Sequence, residues 1–345
     1  MSLRMIAVLL CLFLISQAVA DTNTTTQTFE EYIDEKQKKI SEKVVDWSYN
    51  IDNGLSRWIY NADDEAYCEE QEKILNERFF EDSDISVDDF FKNEKFIEET
   101  EKRFVRVRFG ADFQSKESTD FNYKIRVQIP LSKTKKNIKL FFDNVERDYF
   151  TGDASDEEKT PDVGLSYFSP DYYKLKSKYS IGTSGLNGYL RARYSRAYLS
   201  GKWKIEPTQQ FKYSIDDGWQ EETNVYFDRA LEESSLFRTT LHRKTRAHVD
   251  GMDYSLGFSY FFIQSKKSGL SLSQSFWGNT KYRTLDKPES YSGISNYSTT
   301  VGWRQSIWRK WFAYEIQPGI SFHRQYDYEP NYILKFYVDF YFGNI

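Results

Sequence analysis

Cysteine is nearly absent from this 345-residue chain: there are two, Cys11 and Cys68. The first twenty residues, MSLRMIAVLLCLFLISQAVA, carry Arg4, then an apolar run from Met5 to Ile15, then Ala18-Val19-Ala20. A basic start, a short apolar run and a small-residue cleavage site form the pattern of a secretory signal peptide, too short to span a bilayer. Its removal takes Cys11 with it and starts the mature chain near Asp21. One cysteine remains, so an internal disulfide and a cysteine metal cluster are both excluded. Histidine is as scarce: His242, His248 and His323 share no ligand-like spacing, and neither a metal nor a cofactor is expected. No glycine-rich strand-to-helix turn is present, which removes the usual phosphate-binding loop. After residue 20 no apolar run approaches a membrane helix, and mean hydropathy is -0.69.

Aromatic residues are abundant instead, at 18% of the chain, with 27 Phe, 26 Tyr and 8 Trp. Many aromatics without long apolar runs suit strands whose apolar residues alternate with polar ones, because averaging then hides them. Charge divides the chain. Residues 21–102 hold 24 acidic and 10 basic side chains, and residues 103–345 hold 28 acidic and 36 basic. Opposite signs predict two parts after the signal peptide of 1–20: an acidic segment over 21–102 and a second domain over 103–345.

The acidic segment reads as mainly helical. Ile40, Val44, Trp47, Ile51, Leu55 and Trp58 recur at spacings of three and four and fall on one stripe. Asn53-Gly54 offers a break within that run. EDSDISVDDFFKNEKF reads as a loop with short turns.

At Arg103 the period changes to two. In RFVRVRFGADF, Val105, Val107, Phe109, Ala111 and Phe113 share one face, and Arg106 and Arg108 take the other. The pattern recurs in fourteen candidate strands: 103–113, 120–130, 137–146, 163–169, 172–183, 187–199, 202–215, 220–231, 235–247, 252–264, 269–279, 293–305, 311–324 and 329–343. Most have nine to fourteen residues, the length of a tilted membrane strand, against about five or six in globular sheets. The expected fold is all-β: a transmembrane antiparallel up-and-down barrel of about fourteen strands, with twelve or sixteen as alternatives. An even count puts both barrel ends on one side, the periplasm, together with the acidic segment.

The chain closes on NYILKFYVDFYFGNI. Leu334, Phe336, Val338, Phe340 and Phe342 form one face, and Lys335, Tyr337, Asp339 and Tyr341 the other. Such a strand resembles the terminal strand of bacterial outer-membrane β-barrel proteins, which the barrel-assembly machinery recognises. The stretch from Val301 to Gly343 is similar to the C-terminal part of a group of uncharacterised proteobacterial outer-membrane proteins. The resemblance implies an outer-membrane location among lipids and lipopolysaccharide. It brings no activity and no functional residue.

The sharpest constellation is basic. Arg106, Arg108, Lys124, Arg126, Lys174, Lys176, Lys178, Arg191 and Arg193, with Lys202, Lys204 and Lys212, lie opposite apolar faces. In a membrane barrel that side is the lumen, since a charge facing lipid at the midplane costs about 2–4 kcal/mol. Two readings stay open: a pore whose cations favour small anions, or a closed lumen in which they pair with Glu206, Glu222, Asp228, Glu315 and Asp339. The first makes the protein a porin-like transporter and the second an element of envelope structure. In either, the acidic segment is able to dock as a plug at the periplasmic mouth. Inward-facing cations leave no surface for nucleic acid. A single barrel is expected to stand as a monomer. The alternative class is an outer-membrane lipase or deacylase, with Ser321, His323 and Glu315 on one strand face as its weak candidates.

Overall fold

In the computed structural model, residues 29–59, 87–92, 103–131, 137–143, 162–172, 174–282, 291–307 and 311–343 are described. The signal peptide, Cys68 and the connections 144–161 and 283–290 lie outside them. Helix α1 is Phe29–Ile59 and helix α2 is Val87–Phe91. Helix α1 runs through Asn53-Gly54 without a break, and its Ser48 and Asp52 are each 1% exposed. The acidic loop expected near residue 87 does contain a turn of helix, α2.

Fifteen strands follow. They are β1 (Phe104–Gln114), β2 (Asp120–Leu131), β3 (Asn137–Asp143), β4 (Asp162–Tyr172), β5 (Leu175–Ser184), β6 (Asn187–Arg196), β7 (Tyr198–Ser200) and β8 (Trp203–Ser214). Then come β9 (Gly218–Glu232), β10 (Ser235–Arg246), β11 (Val249–Ser265), β12 (Ser268–Tyr282), β13 (Tyr291–Ser306), β14 (Phe312–His323) and β15 (Pro330–Gly343). Each strand except the β6–β7 pair hydrogen-bonds to its sequence neighbour, β1 pairs with β15, and β6 pairs with β8, so the sheet closes on itself. β7 continues β6 in the same register along β8, from Ser195↔Thr208 to Tyr198↔Ile205, so the two form one stave. The molecule is a closed antiparallel barrel of fourteen staves. Every strand read from the sequence has its counterpart in it. Closure leaves no free sheet edge, which lipid would not tolerate.

The two faces of the wall are inverted relative to a water-soluble protein. Outward side chains are large, apolar and exposed: Phe121 is 62% exposed, Ile181 59% and Tyr332 63%. Inward side chains are polar and buried: Arg106 is 5% exposed, Glu206 2% and Asp339 1%. An apolar patch of this extent fits lipid, not water. Aromatic pairs ring both ends. At the rim holding the start of β1 and the end of β15, here the near rim, Trp203 meets Phe237 at 6.4 Å. At the far rim Phe113 meets Phe121 at 6.4 Å, Tyr213 meets Trp219 at 5.2 Å and Phe276 meets Tyr297 at 5.8 Å. Such girdles mark the two membrane–water boundaries, and the barrel is of the outer-membrane type.

On β15 the outward face carries Phe336, Phe340 and Phe342, and Phe340 lies between Phe312 at 4.9 Å and Phe109 at 6.3 Å. A Phe340→Asp change sets a carboxylate on the lipid-facing wall among those rings. It is expected to cost about 2–4 kcal/mol at depth and to block assembly. The check is the gel shift between unheated and boiled outer-membrane fractions, present in the parent and lost in the variant.

Candidate functional site

The inward faces of β1, β13, β14 and β15 meet at one carboxylate. Arg108 lies directly opposite Asp339 in the β1–β15 register. Its Nε donates to Asp339 Oδ1 at 2.7 Å, Arg106 Nε donates to the same oxygen at 3.1 Å, and Arg304 Nη1 donates to Oδ2 at 2.8 Å. Glu315 accepts from Arg108 Nη2 at 3.2 Å and from Arg304 Nη1 at 3.3 Å. Arg304 Nη2 also donates to the Tyr341 hydroxyl at 3.0 Å, and the Arg108 guanidinium lies 4.5 Å from the centre of the Tyr337 ring. Three guanidinium groups thus share two carboxylates out of water, an arrangement in which the loss of one carboxylate leaves buried charge uncompensated. Two of these residues, Arg106 and Arg108, were expected lumen cations; Arg304 was not singled out in the sequence.

Further round the ring, Arg126 pairs with Asp143 at 2.6 Å. On the other side Arg238 is held by Asp228 at 2.6 Å and by Asp88 of α2 at 3.0 Å. Helix α2 therefore reaches into the barrel. Val87, Phe90 and Phe91 pack on Leu236, Phe261 and Ile263, inward residues at the near-rim ends of β10 and β11. Gly269 on β12 makes this possible, because a Cβ there would stand 2.6 Å from a Phe90 ring carbon and 2.8 Å from Phe91.

The sector β3 to β8 differs. Among the described residues, its inward cations Lys139, Lys176, Lys178, Arg191, Arg193, Lys204 and Lys212 share their wall with three inward carboxylates, Asp143, Asp162 and Glu206, the last of which holds Lys204 at 3.0 Å. Several of the cations rest on aromatic rings. Lys139 Nζ lies 4.0 Å and Lys178 Nζ 5.1 Å from the centre of the Phe168 ring. Arg191 lies 5.6 Å from Phe141 and 5.5 Å from Tyr189, and Lys212 Nζ lies 4.6 Å from Tyr189. A ring attracts a cation through its quadrupole without cancelling the charge, as a carboxylate would.

The remaining expected residues are placed as follows. Lys124 faces inward on β2, opposite Arg108, and Lys176 lies exposed at the near-rim end of β5. Lys174 is not on the lumen wall. It takes a left-handed φ of 61° in the turn between β4 and β5 and is exposed there. Ser321 and His323 are inward and buried, at 3% and 2% exposure. His323 Nδ1 accepts from the Gln325 N–H at 3.1 Å and caps the turn Arg324–Tyr326. Glu315 lies six residues from Ser321 on the same strand, about 20 Å away at 3.3 Å per residue, and is engaged by arginines. The three are not assembled as a catalytic triad.

No protein-family model matches the chain, and no curated protein matches it. Solved structures resemble it in shape. An anion-selective porin from Comamonas acidovorans aligns at 9% identity over 69% of this chain and 98% of that one, with a TM-score of 0.45. The outer-membrane protein OmpT of Vibrio cholerae, folded in vitro, aligns at 8% identity over 69% and 96%, with a TM-score of 0.44. A KdgM porin in complex with disordered oligogalacturonate aligns at 10% identity over 68% and 98%, with a TM-score of 0.34.

Proposed function

We propose that the protein is a passive outer-membrane conduit for small anionic solutes, kept narrow by its own N-terminal acidic segment. The basic sector β3 to β8 carries this reading. Fixed positive charge on a lumen wall raises the local concentration of anions and sets the sign of the ion carried. Arg106 and Arg108, two of the expected lumen cations, are tied to Asp339 and Glu315. Selectivity is therefore assigned to Lys139, Lys178 and Arg191, and structural closure to the Asp339 cluster. In this reading the near rim and both helices face the periplasm, and the aromatic wall faces outer-membrane lipids after delivery by the barrel-assembly machinery.

The test is the reversal potential in planar bilayers under a potassium chloride gradient. The parent protein is expected to favour chloride. Replacing Lys139, Lys178 and Arg191 with Gln should move the potential toward potassium, by roughly the change expected when three fixed charges leave a narrow wall. An unmoved potential would assign selectivity to other residues, and the absence of any current would return the barrel to the class of closed envelope scaffolds.

A further inference from the structure

On the outer wall of β8, β9 and β10 lies a polar cluster that the lumen reading does not use. Gln209, Glu221, Thr223 and Arg243 point away from the lumen, since their neighbours Thr208, Glu222, Asn224 and His242 are the inward ones. They form a network. Arg243 Nη2 donates to Glu221 Oε1 at 2.5 Å, and Arg243 Nε donates to Thr223 Oγ1 at 3.1 Å. Gln209 Nε2 donates to the same Glu221 oxygen at 3.0 Å, and Thr223 Oγ1 donates to Gln209 Oε1 at 2.6 Å.

The cluster stands on the membrane side of a girdle pair. Tyr213 is opposite Trp219 in the β8–β9 register, and the next outward pairs toward the near rim are Phe211↔Glu221 and Gln209↔Thr223. The surrounding wall is apolar and exposed, with Phe211, Tyr213, Trp219 and Leu241 at 39% to 63% exposure. The side chains of Arg243 and Glu221 are themselves 42% and 37% exposed. A charged pair half open to hydrocarbon has no water to complete its hydrogen bonds. Arg243 Nη1 and Glu221 Oε2 make no hydrogen bond among the described residues. The patch therefore offers one cationic donor and one anionic acceptor side by side.

We propose that this wall is a contact between two copies of the chain, related by a two-fold axis through the cluster. A patch that carries a donor beside an acceptor is self-complementary under such an axis: Arg243 of each copy meets Glu221 of the other, twice. The pairing would complete both groups and remove them from lipid, with Phe211, Trp219 and Leu241 packing around them. The reading departs from the monomer suggested by sequence, and it does not depend on what the lumen carries.

The test uses the full mature protein extracted in mild detergent and returned to lipid nanodiscs, with native mass spectrometry for the oligomeric state. The parent is expected to be dimeric. Glu221→Arg and Arg243→Glu alone should each raise the dissociation constant by about tenfold or more, because each sets like charges across the axis. The double swap restores opposite charges and should restore the dimer. Unheated gel mobility confirms that each variant is a folded barrel. If a swap fails to fold, Thr223→Cys in a Cys68→Ser background leaves the charges intact and should cross-link two copies under oxidation. A monomeric parent overturns the proposal, as does a dimer unaffected by both single swaps with no Thr223→Cys cross-link. A monomer that carries bound glycolipid, lost on Arg243→Glu, overturns it too and assigns the cluster to lipid headgroups.

Discussion

An Asp339→Ala variant is expected to be the most damaging single change in the barrel, failing to give a heat-modifiable band. Asp339 is 1% exposed and accepts from three guanidinium groups at 3.1, 2.7 and 2.8 Å. Without it Arg106, Arg108 and Arg304 face one another around Glu315 alone. Removing one partner from a buried ionic group costs about 3–5 kcal/mol, because charge is left out of water without compensation. That is a large share of the 5–15 kcal/mol typical of a folded domain. The loss falls on the β1–β15 seam, where the first and last strands must find each other. Adding Arg304→Met should recover part of the stability by leaving two cations, instead of three, around Glu315, in urea titrations followed by gel shift. The exposed pair of Lys116 and Glu329 is the control. A pair of that kind is worth about 0–1 kcal/mol, and Glu329→Gln should leave the titration midpoint in place. If the two carboxylates proved equally dispensable, burial and ion pairing would not be what holds the seam.

The fate of Asp339 separates what the sequence makes legible from what it does not. Its inward direction is readable in LKFYVDFYF, since a two-residue period leaves each strand one greasy side and one polar side. The strand count is readable for the same reason, because long alternating runs end at clear turn signals. In an up-and-down barrel, adjacency then follows from order alone. Partners two staves away, or between a helix and the wall, do not follow. Arg304 lies in STTVGWRQS as an isolated cation, and only the curvature of the closed wall brings it past Glu315 to Asp339. The rings beneath Lys139 and Arg191 are hidden likewise, because Phe141, Phe168 and Tyr189 read as ordinary strand aromatics. Lys174 misleads for a local reason: it continues the alternation of Lys176 and Lys178, yet the chain has already turned. Glu221 and Arg243 break the outward apolar pattern in plain view, but each looks like surface polarity until the register shows them side by side.

Releasing helix α2 from the near mouth is expected to raise single-channel conductance severalfold while leaving the sign of selectivity unchanged. The helix is held by two kinds of contact. Phe90, Phe91 and Val87 bury against Leu236, Phe261 and Ile263, with the Phe91 and Phe261 rings 5.1 Å apart. Full burial of such side chains is worth about 1.5–3 kcal/mol each. Asp88 adds a charge-assisted bond to Arg238 at 3.0 Å, of the class worth about 1.5–3 kcal/mol. Losing Asp88 alone should thus shift the docked-to-undocked ratio by about ten- to a hundredfold. The barrel should tolerate it, since Asp228 still holds Arg238 at 2.6 Å. Gly269→Val acts from the wall side, because its Cβ would enter the space of the Phe90 ring. Asp88→Ala combined with Gly269→Val removes both kinds of contact and should give openings of larger amplitude and longer duration in planar bilayers. Chloride preference should persist, because both substitutions leave the cations of β3 to β8 in place. Larger currents with a reversed sign would mean that Arg238, freed of one carboxylate, was not the only group disturbed. Unchanged currents would make α2 a strut of the rim and move the gate, if the conduit has one, to another part of the N-terminal segment.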